Sequence, residues 1–211
     1  MRFQLLIAVL AGLTLLLPAA RAEEAHPALE ATPPPVHAPG TIEIGVGLGS
    51  NQGYGYMGRG LPTLSDIGGA VELTVGWRSN PRWMWGVYGS SGVHAGSLGQ
   101  STWSRSVGVH ARHSFLEGTH RPWIGFGVGL REHRISRDQG NDSYLGLDLG
   151  RFQLGVDSSF GPRTVLSPVL GATVTTFLSY KTSSTPSYTA VVDPKPSVFV
   201  FAGLEARRDV L

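Results

Sequence analysis

The sequence contains no cysteine, which excludes a disulfide framework, a thiolate metal site, a cysteine nucleophile and a lipidated N-terminal cysteine. Charge is scarce as well. Asp, Glu, Lys and Arg make up 15% of the 211 residues, against roughly 25% in ordinary soluble domains, so a long charged disordered chain is excluded. Neither sign dominates: the formal +2 is 17 Lys and Arg against 15 Asp and Glu. Helical periodicity is missing too, because between the apolar runs described below no amphipathic stretch exceeds a few helical turns. What the chain has in plenty is glycine, 29 residues, many of them at every second position of short apolar runs.

Residues 1–22 join a basic start to an apolar run that ends in Pro18 and the small-x-small site Ala20-Arg21-Ala22. This is the pattern of a secretory signal peptide cleaved after Ala22; the run is broken short of the ~20 apolar residues that an anchor needs. Cleavage removes Arg2 and Arg21 from the 17 basic residues and leaves 15 against 15 acidic ones. No basic surface remains for nucleic acid. Residues 23–40, rich in Pro, Ala and Glu, read as an extended linker. Its His26 and His37 are expected to be solvated, and no metal or other cofactor is expected.

From Thr41 onward the dominant signal is alternation, the period of a β-strand. Ile42, Ile44, Val46 and Leu48 fall on one face, with Glu43, Gly45, Gly47 and Gly49 on the other. Val71, Leu73, Val75 and Trp77 alternate likewise with Glu72, Thr74 and Gly76. Further runs cover about 83–92, 103–113, 122–131, 144–157, 164–178 and 198–207. These predict eight strands, and an all-β, eight-stranded antiparallel up-and-down transmembrane barrel over 41–211. A soluble sandwich would also alternate, but a membrane barrel additionally turns its small and polar face inward and gathers aromatics at both interfaces. Trp77, Trp83, Trp85 and Trp123 stand at strand ends and predict one girdle; Trp103, Tyr88, Tyr144 and Tyr180 predict the other. Connections at about 51–69, 132–143 and 179–197 read as long outer loops, whereas Ser79-Asn80-Pro81-Arg82 and 158–163 read as tight inner turns. Both chain ends then lie on the periplasmic side, and 23–40 is a periplasmic linker.

Energetics set the expected register. A basic residue facing mid-membrane lipid costs about 2–4 kcal/mol, so Glu43, Glu72, His110, Arg112, Asp148 and Glu205 should form a paired polar network in the lumen. Eight strands make a barrel only just wide enough to be filled by side chains. Arg105 shares the face of Val107 and Val109 and should snorkel to the outer interface beside Trp103. The charged segment Arg131–Asp142 reads as an outer loop in which Arg131, Arg134 and Arg137, together with Arg105, are candidates for gripping anionic phosphates of lipopolysaccharide. The apolar parity changes from Leu145, Leu147 and Leu149 to Phe152, Leu154 and Val156, which predicts a β-bulge near Gly150-Arg151.

The stretch Arg121-Pro-Trp-Ile-Gly-Phe-Gly-Val-Gly-Leu130 resembles the Pro-aromatic-x-Gly-x-Gly-x-Gly strand of the small outer-membrane barrel proteins of the OmpA, OmpX and OmpW type. The hairpin from Gly69 to Trp83 is similar to theirs. The resemblance implies an architecture from about residue 41 onward and no particular activity. With no second domain read after the barrel, a peptidoglycan-binding role is not implied.

Two other constellations carry less. Gly53-Tyr-Gly-Tyr-Met-Gly58 matches a dinucleotide-binding string, but Gly60 and Pro62 follow where a helix would have to open, so a tyrosine-bearing loop is expected. His110, His113 and Ser114 are the one hint of a Ser–His lipid A-modifying enzyme. However, His113 and Ser114 point to opposite faces of a strand, and His110 lies about 13 Å from Ser114 along it. The expectation is therefore a monomeric, non-enzymatic outer-membrane barrel with a structural or surface-interaction role, such as adhesion or lipopolysaccharide contact. Its partners would be outer-membrane lipids, lipopolysaccharide and the outer-membrane assembly machinery. A narrow porin-like channel, suggested by the glycine-lined inner face, is the alternative.

Overall fold

The computed structural model describes residues 39–95, 101–115, 120–137, 140–160, 163–185 and 187–210, with only the backbone given for 65, 66 and 137. The expected leader and all of the linker before Pro39 lie outside them. Eight long strands follow one another: β1 (Ile42–Tyr56), β2 (Thr63–Arg78), β3 (Trp83–Ala95), β4 (Ser101–Ser114), β5 (His120–Arg137), β6 (Gly140–Ser159), β7 (Thr164–Lys181) and, after the two-residue β8 (Thr189–Ala190), β9 (Pro196–Asp209). Each pairs antiparallel with its sequence neighbour; β7 pairs with β9, and β9 pairs with β1 (Glu43 opposite Asp209, Gly55 opposite Ser197), so the sheet closes. Closure leaves no long strand with an unpaired edge. The protein is an eight-stranded antiparallel β-barrel.

Its faces are inverted relative to a soluble protein. Ile44, Val46, Leu48, Leu73, Val75, Val87, Val107, Val109, Phe126, Val128 and Leu130 all point outward and are exposed, while Glu43, Glu72, Arg112, Asp148, Glu205 and Arg207 are buried inside. An outward apolar belt of this extent has no favourable counterpart in water, and lipid supplies one. The parity change in β6 is absorbed as expected: Leu149 still faces out, and register shifts on both sides of β6 (Gly127/Gly129 on β5, Asp148/Gly150 on β6) let Arg151 face in and Phe152 face out.

The strands run further than the sequence pattern predicts. The expected loops at 51–69 and 132–143 are mostly strand: β1 continues to Tyr56 and β2 begins at Thr63, while β5 reaches Arg137 and β6 resumes at Gly140. The dinucleotide-like string is therefore largely strand β1, not a loop, and Arg131–Arg137 of the charged segment is strand as well. The ladder satisfies backbone groups in water as well as in lipid, so strands can leave the apolar belt; the hydropathy alternation stops there although the pairing does not. The connection between β7 and β9 does remain long.

The belt makes a quantitative prediction. Val109 stands in mid-strand, opposite Val87 on β3 and Val128 on β5. Val109→Arg is expected to lower the stability of the folded barrel in lipid vesicles by about 2–4 kcal/mol, read as a shift in the urea midpoint. An unchanged midpoint would mean that this face does not meet lipid.

Candidate functional site

The interior is built from the alternate residues of all eight long strands and is arranged in tiers. At the rim that carries the chain ends and the short turns, Glu43 on β1 accepts from Arg78 Nη2 at 2.7 Å and Arg207 Nη1 at 2.9 Å, with Arg112 Nη1 at 3.6 Å. Arg112 donates through Nη2 to both oxygens of Glu205, at 2.7 and 3.1 Å, and Thr74 Oγ1 donates to the same carboxylate at 3.3 Å. Arg207 also pairs with Asp157, which accepts from Ser167 Oγ at 2.5 Å and lies 4.0 Å from Arg121 Nη2. The ring of Trp123 lies among these charges, 3.9 Å from the Arg112 guanidinium carbon and 5.6 Å from that of Arg207.

A second tier sits above this. Arg151 pairs with Glu72, to which Gln153 Nε2 also donates at 3.4 Å. Asp148 accepts from Arg131 Nε and Nη2 at 2.8 and 3.1 Å, from Thr175 Oγ1 at 2.6 Å and from Tyr88 at 3.5 Å. Tyr88 in turn lies under the Arg151 guanidinium at 4.3 Å. The six buried arginines (Arg78, Arg112, Arg121, Arg131, Arg151, Arg207) are matched by six buried carboxylates (Glu43, Glu72, Asp142, Asp148, Asp157, Glu205) among the described residues. This interior is neutral by composition, as burial of charge requires.

At the opposite rim the interior turns apolar. Met57, Leu64, Ile135, Tyr144, Phe177, Val191 and Phe199 form a buried cluster, with Leu61 and Tyr180 packed against it. The β7–β9 connection folds back over this mouth: β8 pairs with Ser179 and Tyr180, Val191 N–H donates to Leu178 O at 2.9 Å, and Arg59 N–H donates to Val192 O at 3.1 Å. His94 and His133 lie just beneath, their ring centroids 6.4 Å apart. Sequence reading missed this cap, although the signal is present: Ile135 has the parity of Arg131, and Phe177 that of Thr173 and Thr175.

The glycines that suggest an open inner face serve instead as recesses for large rings. A Cβ on Gly155 would come within 2.6 Å of the Trp123 ring; one on Gly108 would lie 2.7 Å from the Tyr88 ring, and one on Gly129 2.6 Å from its hydroxyl. A void bordered by Asn51, Glu72, Ser90, Arg131, Arg151 and Phe199 measures about 20 Å³, room for a water molecule or two.

Several expected positions are corrected. Trp123, Tyr144 and Tyr88 point into the barrel and are each only 1% exposed, so they belong to no girdle. Each has inward parity: Trp123 alternates with Ile124 and Phe126, Tyr144 with Leu145 and Tyr88 with Val87. Trp77 and Trp85 do face outward as cross-strand neighbours. Trp83 stacks on Trp85 at 5.6 Å and meets His113 at 4.6 Å, and His113 meets Phe115 at 5.2 Å, so aromatic rings span β2 to β4 at the turn rim. Trp103 stands toward the other rim, donating to Ser91 Oγ at 3.1 Å with the Arg105 guanidinium 3.5 Å over its ring. Among the proposed anion-binding arginines, Arg131 is buried against Asp148 and is not available to an outer ligand. Arg105 and Arg134 face outward, and the Arg137 side chain lies outside the described residues.

His110 is buried in the lumen, its ring 6.1 Å from that of Tyr88. It makes no hydrogen bond to a described residue, so no His110–Ser114 pair is formed. His113 belongs to the aromatic band, on the other face from Ser114.

These features define a transmembrane β-barrel with an apolar outside and a filled, charged inside. Among solved structures, the Neisserial surface protein A superposes with a TM-score of 0.59 at 12% identity, over 80% of this chain and 97% of that one. OprG of Pseudomonas aeruginosa gives 0.46 at 14% identity, over 84% and 100%. The attachment invasion locus protein Ail of Yersinia pestis gives 0.45 at 15% identity, over 80% and 99%. The first likeness establishes a shared fold. No protein-family model matches the sequence, and no curated protein matches it either.

Proposed function

We propose that the protein is an integral outer-membrane barrel that acts as a structural and surface-interaction element, with a lumen closed to solutes. The turn rim, where both ends of the barrel lie, faces the periplasm, and the capped rim faces outward. The observation that carries this reading is the matched set of buried arginines and carboxylates, most of them paired in two tiers beneath an apolar cluster: among the described residues, ion pairs and packed rings occupy the interior where a polar path would run. Arg105 and Arg134 stand on the outer surface at the level of Trp103, where Arg134 meets the phosphates of lipopolysaccharide and Arg105 a membrane lipid phosphate. The outer-membrane assembly machinery is the expected partner in biogenesis, and the barrel is expected to be a monomer.

The placement is tested by fractionation. The protein should sediment with outer membranes, resist carbonate extraction, and run at a different apparent size in unheated and heated gel samples. Recovery as a soluble periplasmic protein with no heat-dependent shift would overturn the proposal.

A further inference from the structure

The outward face carries a built depression that combines apolar walls with charge. On β3 the outward residues at this level are Gly89 and Ser91, flanked by larger neighbours. Gly89 lies between Leu73 and Val107, and Ser91 between Val71 and Arg105. The result is a trough of about 550 Å³ running over β3, with Leu130 and Leu145 on its far wall. Its floor is open, since a Cβ placed on Gly89 would meet no atom within 4 Å. At its outer end stand Arg105 and Glu132, cross-strand partners that both border the trough. Opposite charges so placed ordinarily pair, yet Arg105 lies over Trp103 instead, and neither makes an ion pair with a described residue.

Resting on the membrane placement proposed above, we infer that this trough is a binding site for one zwitterionic glycerophospholipid of the phosphoethanolamine type. Its acyl chain lies along Gly89 between Leu73 and Val107, its phosphate on Arg105 and its ammonium on Glu132. Charge complementarity selects this occupant. A lone arginine would suit any lipid phosphate, but a purely anionic headgroup would bring negative charge against Glu132 with no cation of its own to offset the repulsion. The cation and the carboxylate each gain in the lipid complex the ionic partner that they lack among the described residues.

The test is native mass spectrometry of the full-length protein, refolded in detergent and titrated with phosphatidylethanolamine, phosphatidylglycerol or lipid A. The heat-dependent gel shift establishes folding independently, so loss of lipid binding with the shift intact counts against this site and not against the barrel. Wild type should retain one phosphatidylethanolamine with about tenfold preference over phosphatidylglycerol, the worth of one charge-assisted contact. Glu132→Gln should abolish that preference. Gly89→Leu, which fills the trough from an open position, should reduce retention at least about tenfold, and Ser91→Leu serves as a second filling variant. Equal retention of phosphatidylglycerol by wild type, displacement by lipid A at equal concentration, or undiminished retention by folded Gly89→Leu and Ser91→Leu would overturn the inference.

Discussion

Arg207→Met is expected to destabilise the barrel by about 3–5 kcal/mol, the loss typical when one member of a buried ion cluster is removed. Arg207 is wholly buried and contacts Glu43, Asp157 and Glu205. Methionine fills comparable space but leaves the six buried carboxylates facing five buried arginines. The remaining partners cannot fully compensate: Arg121 stands 4.0 Å from Asp157, and Arg112 is already shared between Glu43 and Glu205. The measurement is the urea midpoint in detergent or vesicles, followed by tryptophan fluorescence and the gel shift. Adding Asp157→Asn restores the balance of charge and should recover part of the loss, because the two sites are in contact and not additive. A loss below about 1 kcal/mol would mean that water reaches these charges and that the network is not sealed.

Trp123→Ala is the second large effect, expected at about 3–5 kcal/mol from the cavity left by a buried aromatic ring. The ring also lies against the Arg112 and Arg207 guanidinium groups at 3.9 and 5.6 Å, contacts worth about 0.5–2 kcal/mol each when desolvated. Both terms act in the same direction. The neighbouring Gly155 offers an internal control, since a Cβ there would meet the indole at 2.6 Å. Gly155→Ala alone should destabilise by overpacking, and the same change in the Trp123→Ala background should be tolerated better. If Trp123 instead faced lipid as a girdle residue, its replacement by alanine would change the midpoint little and the two substitutions would add independently.

The strand count, antiparallel closure and inward parity of Glu43, Glu72, Arg112, Asp148 and Glu205 are all legible because the side-chain period of a strand is two, so a single charged residue fixes the face of its whole strand. The same parity rule places Trp123, Tyr88, Tyr144 and Arg131 inside. Position at a strand end is the weaker criterion for a girdle residue, and where the two conflict the parity decides. The extent of the strands was less legible. Outside lipid the outward residues no longer need to be apolar, so Asn51 to Tyr56 and Glu132 to Arg137 read as loops although their backbones stay in the ladder. The content of the lumen was the hardest to read. A glycine-lined face can border a pore or a pocket for rings, and only three-dimensional placement of Trp123 and Tyr88 against Gly155, Gly108 and Gly129 separates the two.

Planar-bilayer recording of the purified, refolded protein tests the central claim most directly, because a lumen filled by paired charges and rings should not conduct. The expected record shows no stable conductance steps for wild type. It also shows none for a Phe177→Ala/Phe199→Ala variant, in which the outer cap is thinned but the two charged tiers beneath it remain. Reproducible, long-lived conductance steps in wild type, or steps that appear as soon as the cap is thinned, would contradict the account and assign the protein to the channels.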